Sequence, residues 1–197
     1  RDSVIQEVSP DGEIIFEWNS WNHLDINDCL VHRFPDDYAH INSFFITDDD
    51  NILASLRGCS MILKINRETG ETIWDLGGAT PSLEIVGDPF SEFCGQHTAT
   101  IDSNNNLYVF DNGGHCNGAR EEKFGNFSRG VQYNIDTSAG QAAFVRDITF
   151  DTSYSAYTSS GGSLFPTENG NWLISWARSL NDITETTPDG KLALRMI

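Results

Sequence analysis

Ile41-Asn42-Ser43-Phe44-Phe45-Ile46-Thr47-Asp48-Asp49-Asp50-Asn51-Ile52-Leu53-Ala54-Ser55-Leu56-Arg57 reads as a β-hairpin. Two apolar runs flank a cluster of Asp and Asn, the residues that make tight turns between strands. The pattern continues downstream. Met61 to Asn66 and Thr72 to Leu76, divided by Glu68-Thr69-Gly70, extend the hairpin to a four-stranded meander. A second set runs through Thr98 to Asp102, Leu107 to Asp111, Gly130 to Asp136 and Ala142 to Ile148. The third is Ser163 to Pro166, Trp172 to Trp176, Ile183 to Thr186 and Leu192 to Met196, and upstream Val4 to Val8 and Glu13 to Trp18 add two strands.

Four-stranded units recurring every ~40 to 60 residues indicate an all-β fold, a β-propeller of antiparallel blades rather than a sandwich. The chain holds about three and a half of them: a half blade over 1–36 and blades near 37–78, 96–150 and 159–197, in one partial domain spanning 1–197. An open stack exposes a sheet edge and an apolar face at each end. The expectation is therefore the C-terminal part of a larger propeller, with the remaining blades on an N-terminal portion or on another chain.

Composition narrows the function. At 197 residues with a net charge of −17, the chain is a poor match for nucleic acid or an anionic membrane surface. No apolar run reaches the ~20 residues of a membrane span. Cys29, Cys59, Cys94 and Cys116 lie too far apart for a zinc cluster, so no metal or other cofactor is expected. Their even number fits two disulfides in an oxidising compartment, with three pairings open. His23, His32 and His115 have no partner at metal-ligand spacing, and Asp48-Asp49-Asp50 lacks the ligand pattern of a calcium loop.

Two hairpins carry the chemistry. Antiparallel pairing with residue numbers summing to about 99 sets Asn42 opposite Arg57, with His40 at the same end and, by strand alternation, on the same face as Asn42. In the next unit a sum of about 208 sets His97 opposite Asp111, a carboxylate placed to fix the imidazole tautomer and raise its basicity. Both hairpins deliver polar groups to one end of the ring. Two imidazoles, an amide and a guanidinium make a cradle for a tetrahedral oxyanion.

The runs Asp37-Tyr38-Ala39-His40-Ile41-Asn42-Ser43, Lys64 to Trp74, Gln96-His97, Phe110-Asp111-Asn112-Gly113, Ser128-Arg129 and Gly170 to Trp176 resemble the aryl sulfotransferase family of β-propellers over essentially the whole chain. The resemblance implies transfer of a sulfuryl group from a phenolic sulfate ester to a phenol acceptor through a sulfated histidine, without a nucleotide donor. It implies His97 as nucleophile, with His40, Asn42 and Arg57 holding the sulfuryl oxygens. Arg129 and Asp111 are expected at the substrate, with Tyr38, Phe93 and the loop from Gly113 to Phe127 as aromatic walls. A further family histidine belongs to an earlier blade, upstream of Arg1. The expected location is secreted, extracellular or periplasmic, and a Cys94–Cys116 bridge is expected across the loops flanking His97.

Each residue also has a plainer reading. His40 could bond backbone at a strand end, Arg57 could pair with a surface carboxylate, and His97 could be a core histidine satisfied by Asp111. Asp111-Asn112-Gly113 reads equally as a strand-capping turn, and Ser128-Arg129 as a brace for the preceding loop. The rival function is a non-catalytic extracellular propeller serving as a binding or structural module. Sulfate-ester hydrolysis would need a modified Cys or Ser beside a metal, for which the sequence offers no cluster.

Overall fold

The computed structural model describes residues 2–29, 37–114, 123–150, 156–177 and 182–197. The described residues form four β-sheets in sequence order, antiparallel apart from one short strand. The first pairs β1 (Val4–Val8) with β2 (Ile14–Asn19), which runs into a single helical turn, α1 (Ser20–His23). The second is a meander of β3 (Ile41–Ile46), β4 (Ile52–Leu56), β5 (Met61–Ile65) and β6 (Thr72–Gly77). The third contains β8 (His97–Ile101), β9 (Asn106–Asp111), β10 (Arg129–Asp136) and β11 (Gln141–Thr149). A short β7 (Glu84–Val86), not anticipated from the sequence, adds to it in parallel along β11. The fourth is β12 (Ser163–Pro166), β13 (Trp172–Ser175), β14 (Ile183–Thr186) and β15 (Leu192–Met196).

One turn chemistry recurs. Ser9, Thr47, Asp102, Thr167 and Thr187 each open a five-residue turn in which the first residue's N–H bonds the fifth residue's carbonyl and the fourth residue's N–H bonds back to the first. That fourth position is Gly12, Asp50, Asn105, Gly170 or Gly190, all at positive φ, the region that Gly, Asn and Asp tolerate best. At the three threonines, Oγ1 donates to the fifth carbonyl as well, at 2.9 to 3.2 Å. The turns fix where each hairpin begins, and so set the level at which its strands end.

The sheets stack face to face, with one apolar layer in each gap. Ile52, Ala54 and Leu56 of β4 pack with Ile5 and Trp18 of the first sheet, whereas Leu53 points the other way, toward Leu107, Val109 and Val131 of the third. Tyr108 and Phe110 of β9 turn toward Leu164, Trp172 and Ile174 of the fourth. Strand alternation thus gives β4 and β9, which lie between neighbouring sheets, two apolar faces. The first strands of the three larger sheets, β3, β8 and β12, lie side by side in the manner of blades around a propeller axis. At the other end of the stack, β1 pairs among the described residues with β2 alone, and a groove of about 590 Å³ separates it from the start of β3, beside the exposed Phe44. Among the described residues no helix is long and apolar enough to cross a membrane.

Candidate active site

Counting back from the matching turns puts Asn42, His97 and Gly162 each five residues ahead of the turn, at the same level of three adjacent inner strands. Backbone irregularities then decide where the side chains go. In β3 the register shifts between Ile41 and Ser43, and Asn42 is the extra residue. Such a bulge re-aims its side chain. The expected facing of Asn42 and Arg57 is therefore replaced: Ile41 faces Leu56, and Arg57 donates its backbone N–H to the His40 carbonyl at 3.1 Å. His40 has φ +46 and precedes β3, so strand alternation does not put it on the face of Asn42. The contact between these segments is close. A Cβ on Gly58 would lie 1.9 Å from the Tyr38 carbonyl oxygen, so glycine is what lets Arg57 sit beside His40.

In β8 the bulge falls at Thr98, and His97 faces Phe110 rather than Asp111. The imidazole Nδ1 meets Asn112 Oδ1 at 2.7 Å, and Nε2 accepts the Gly161 N–H at 3.1 Å. Burial holds His97 below the ordinary imidazole value. The positive charge of Arg57, and that of His40 when protonated, push the same way, against the Asn112 hydrogen bond. That coupling puts the three groups in one electrostatic environment. His40 Nδ1 in turn contacts Asp37 Oδ2 at 2.6 Å, a partner the sequence did not single out.

Two cross-sheet stitches hold the parts together. The Asn42 amide donates to the Gln96 carbonyl at 2.7 Å, tying β3 to the residue before His97. The fully buried Gln96 side chain reaches back to the Met61 carbonyl at 2.9 Å and Ser55 Oγ at 3.2 Å. From the opposite side, the segment leading into β12 closes over the site: Arg57 Nη2 donates to the Ser159 carbonyl at 3.3 Å, and Asn112 Nδ2 donates to Thr158 and Gly161. Asn112 lies in the run Phe110 to Gly113, but nothing in that run singled it out as the partner of His97. The proximity of Asn112 and of this segment to His97 arises from packing between sheets.

Arg129 and Asp111 lie elsewhere. Both side chains are fully buried, joined at 2.8 Å, with Arg129 also bound to Asp88 and Asp147. The other Asp111 oxygen accepts the N–H groups of Cys94 and Gly113. The sequence reading set both at the substrate; here they are taken up by one another, by Asp88 and Asp147, and by the Glu92 carbonyl. Tyr38 and Phe93 are core residues rather than site walls, with Tyr38 bonded to Ser20 Oγ. Cys29 bonds Cys59. Cys94 is disulfide-bonded, and Cys116, its expected partner, lies outside the described residues, as do His32, His115 and the loop portion 115–122. Among the described residues no group of His, Cys, Asp or Glu could hold a metal ion.

The sequence profile of the arylsulfotransferase (ASST) family matches residues 1–193. The chain belongs to that family. No curated protein matches it. Among solved structures, it is similar to a Bacteroides caccae protein of unknown function, with 15% identity and a TM-score of 0.53 over 99% of this chain and 57% of that one. A Desulfotomaculum acetoxidans protein of unknown function gives 12% and 0.52 over 96% and 49%. Virginiamycin B lyase from Staphylococcus aureus gives 12% and 0.50 over 96% and 47%. At these identities the likeness concerns the fold, a β-propeller, and this family member spans about half the length of the structures it matches.

Proposed function

We propose that this arylsulfotransferase-family chain carries the sulfuryl-transfer site of an enzyme that moves a sulfuryl group from a phenolic sulfate to a phenol through sulfated His97. The observation that carries the reading is a half-buried imidazole whose Nδ1 meets Asn112 and whose Nε2 accepts the Gly161 N–H, held below its ordinary value chiefly by burial, in a chain of this family. A neutral imidazole near pH 7 is a competent nucleophile. Its lone pair forms the N–S bond while the S–O bond to the aryl oxygen breaks, with the electron pair leaving on the phenolate. In the second step the acceptor phenol oxygen attacks sulfur, the N–S bond breaks with its electron pair returning to the imidazole, and the phenolic proton passes through solvent to the phenolate released in the first step. Arg57, His40 and the second amide N–H of Asn42 stabilise the sulfuryl oxygens as charge redistributes. Local positive charge matters here, because the net charge of −17 repels an anionic ester at long range.

Blades beyond this chain would complete the ring and supply the remaining walls. The Cys29–Cys59 bridge fits an oxidising compartment outside the cytoplasm. The test is incubation with a chromogenic phenyl sulfate and a phenol acceptor. Chromophore release lost in His97→Ala, with a sulfated peptide containing His97 by mass spectrometry, is the expected result. Equal release from His97→Ala, or none from the wild type, removes the enzymatic reading in favour of a binding module.

A further inference from the structure

We infer that Asn112 is a positioning residue that dictates which nitrogen of His97 attacks sulfur, an assignment that rests on the sulfotransferase reading above. Asn112 is fully buried, and its amide meets three groups: the Thr158 carbonyl at 2.9 Å, the Gly161 carbonyl at 3.0 Å and His97 Nδ1 at 2.7 Å. Backbone carbonyls only accept, so the amide nitrogen must face them. A flipped amide would set its oxygen against two carbonyl oxygens. The Asn112 oxygen therefore faces the ring, and because that oxygen only accepts, Nδ1 must hold the proton. A neutral imidazole has one N–H, so the lone pair resides on Nε2. The Gly161 N–H, 3.1 Å from Nε2, independently marks that nitrogen as an acceptor.

An amide does this where a carboxylate would not. Aspartate at 112 would favour the imidazolium and so protonate the nucleophile, and it could not donate to Thr158 or Gly161. The charged groups around the ring are Arg57 and, when protonated, His40, whose Nδ1 meets Asp37, while Asp111 is engaged by Arg129. Asn112 thus fixes the tautomer without adding negative charge. After Nε2 takes the sulfuryl group, Nδ1 keeps its proton and the ring is cationic, bonded to a neutral acceptor. The N–S bond then breaks toward the acceptor phenol with neutral imidazole as leaving group. Attack also requires the Gly161 N–H to release Nε2, and the adjacent Gly161 and Gly162 at positive φ form the segment that must shift.

Long-range ¹H–¹⁵N NMR of the wild-type chain reads the tautomer directly. The expected spectrum shows the Nδ1–H form of His97; the Nε2–H form overturns the inference. Asn112→Asp is expected to raise the His97 titration by about one pH unit or more, and an unchanged titration counts against it. In Asn112→Ala, kcat should fall on the order of 10²-fold or more with KM little changed, as for other catalytic imidazoles that lose their orienting partner. Unaltered kcat and tautomer in a folded Asn112→Ala protein would overturn the assignment. The two readings fail separately. An active wild type with His97 in the Nε2–H form overturns the role of Asn112 alone, whereas an inactive wild type with the Nδ1–H form keeps Asn112 as the residue fixing His97 and removes the sulfotransferase reading.

Discussion

Arg129 grips the carboxylate of Asp88, 41 residues earlier in the chain, at 2.7 Å, with neither side chain exposed to solvent. Asp111 and Asp147 approach the same guanidinium at 2.8 and 3.3 Å, and Tyr133 donates to Asp88. Burial raises Asp88, but the hydrogen bonds and charge of Arg129 outweigh it and leave the carboxyl below its usual range. For Asp147 burial prevails over Arg129, and its carboxyl is pushed up. Through Asp111, which holds the N–H groups of Cys94 and Gly113, this network fixes both chain segments that flank the site.

Arg129→Met should leave buried carboxylates without their cation and cost about 3 to 5 kcal/mol. Urea unfolding monitored by tryptophan fluorescence measures it. A loss below about 1 kcal/mol would mean that the carboxylates are neutralised by other means.

Gln96→Leu removes the donor to the Met61 carbonyl and Ser55 Oγ while keeping an apolar side chain of similar reach. Stranding those buried acceptors should cost roughly 1 to 3 kcal/mol. Because the Gln96 backbone carbonyl also receives the Asn42 amide, activity should fall by more than the folded fraction does. Parallel unfolding and chromogenic assays separate the two effects.

His97 titrates below the ordinary imidazole value of 6.5, chiefly through burial. Its folded value is depressed, so the unfolded chain binds more protons as pH falls toward 6.5, and stability present above that pH is lost on the way down to the folded value. Wild type should therefore lose more stability than His97→Gln between neutral pH and the acid side of 6.5. The acid limb of kcat/KM should also lie below 6.5, and a limb above it would contradict the depressed value.

Opening the Cys29–Cys59 bridge, whose cysteines are 30 residues apart, should cost about 3 to 4 kcal/mol from the chain entropy restored to the unfolded state. A Cys29→Ala/Cys59→Ala double variant compared with wild type in denaturant tests this. Since Cys59 lies two residues beyond Arg57, the variant should also lower activity with a phenyl sulfate.

The turns at Thr47, Asp102 and Thr167 were legible because their chemistry is local, and they place Asn42 and His97 at one level without any knowledge of packing. The hairpin pairing read for His97 came within one residue of the observed register and that for Asn42 within two, and the difference mattered. With period-two alternation, a shift of one exchanges faces. The bulges at Asn42 and Thr98 thus put Leu56 opposite Ile41 and Phe110 opposite His97, and gave His97 an amide partner in place of Asp111. Nothing local to Asp111 or Arg129 distinguishes a buried ion pair from a substrate ligand.

The sequence by itself determined the blades, the order of their strands and the presence of His40, Asn42, Arg57 and His97 at one end, because turn preferences and apolar alternation act over a few neighbouring residues. Tertiary structure alone decided that Asn112 orients His97, that Arg129 is spent on core carboxylates, and that residues 158 to 162 lie over the imidazole. Those contacts join positions up to 64 residues apart, and they exist only once the sheets have stacked.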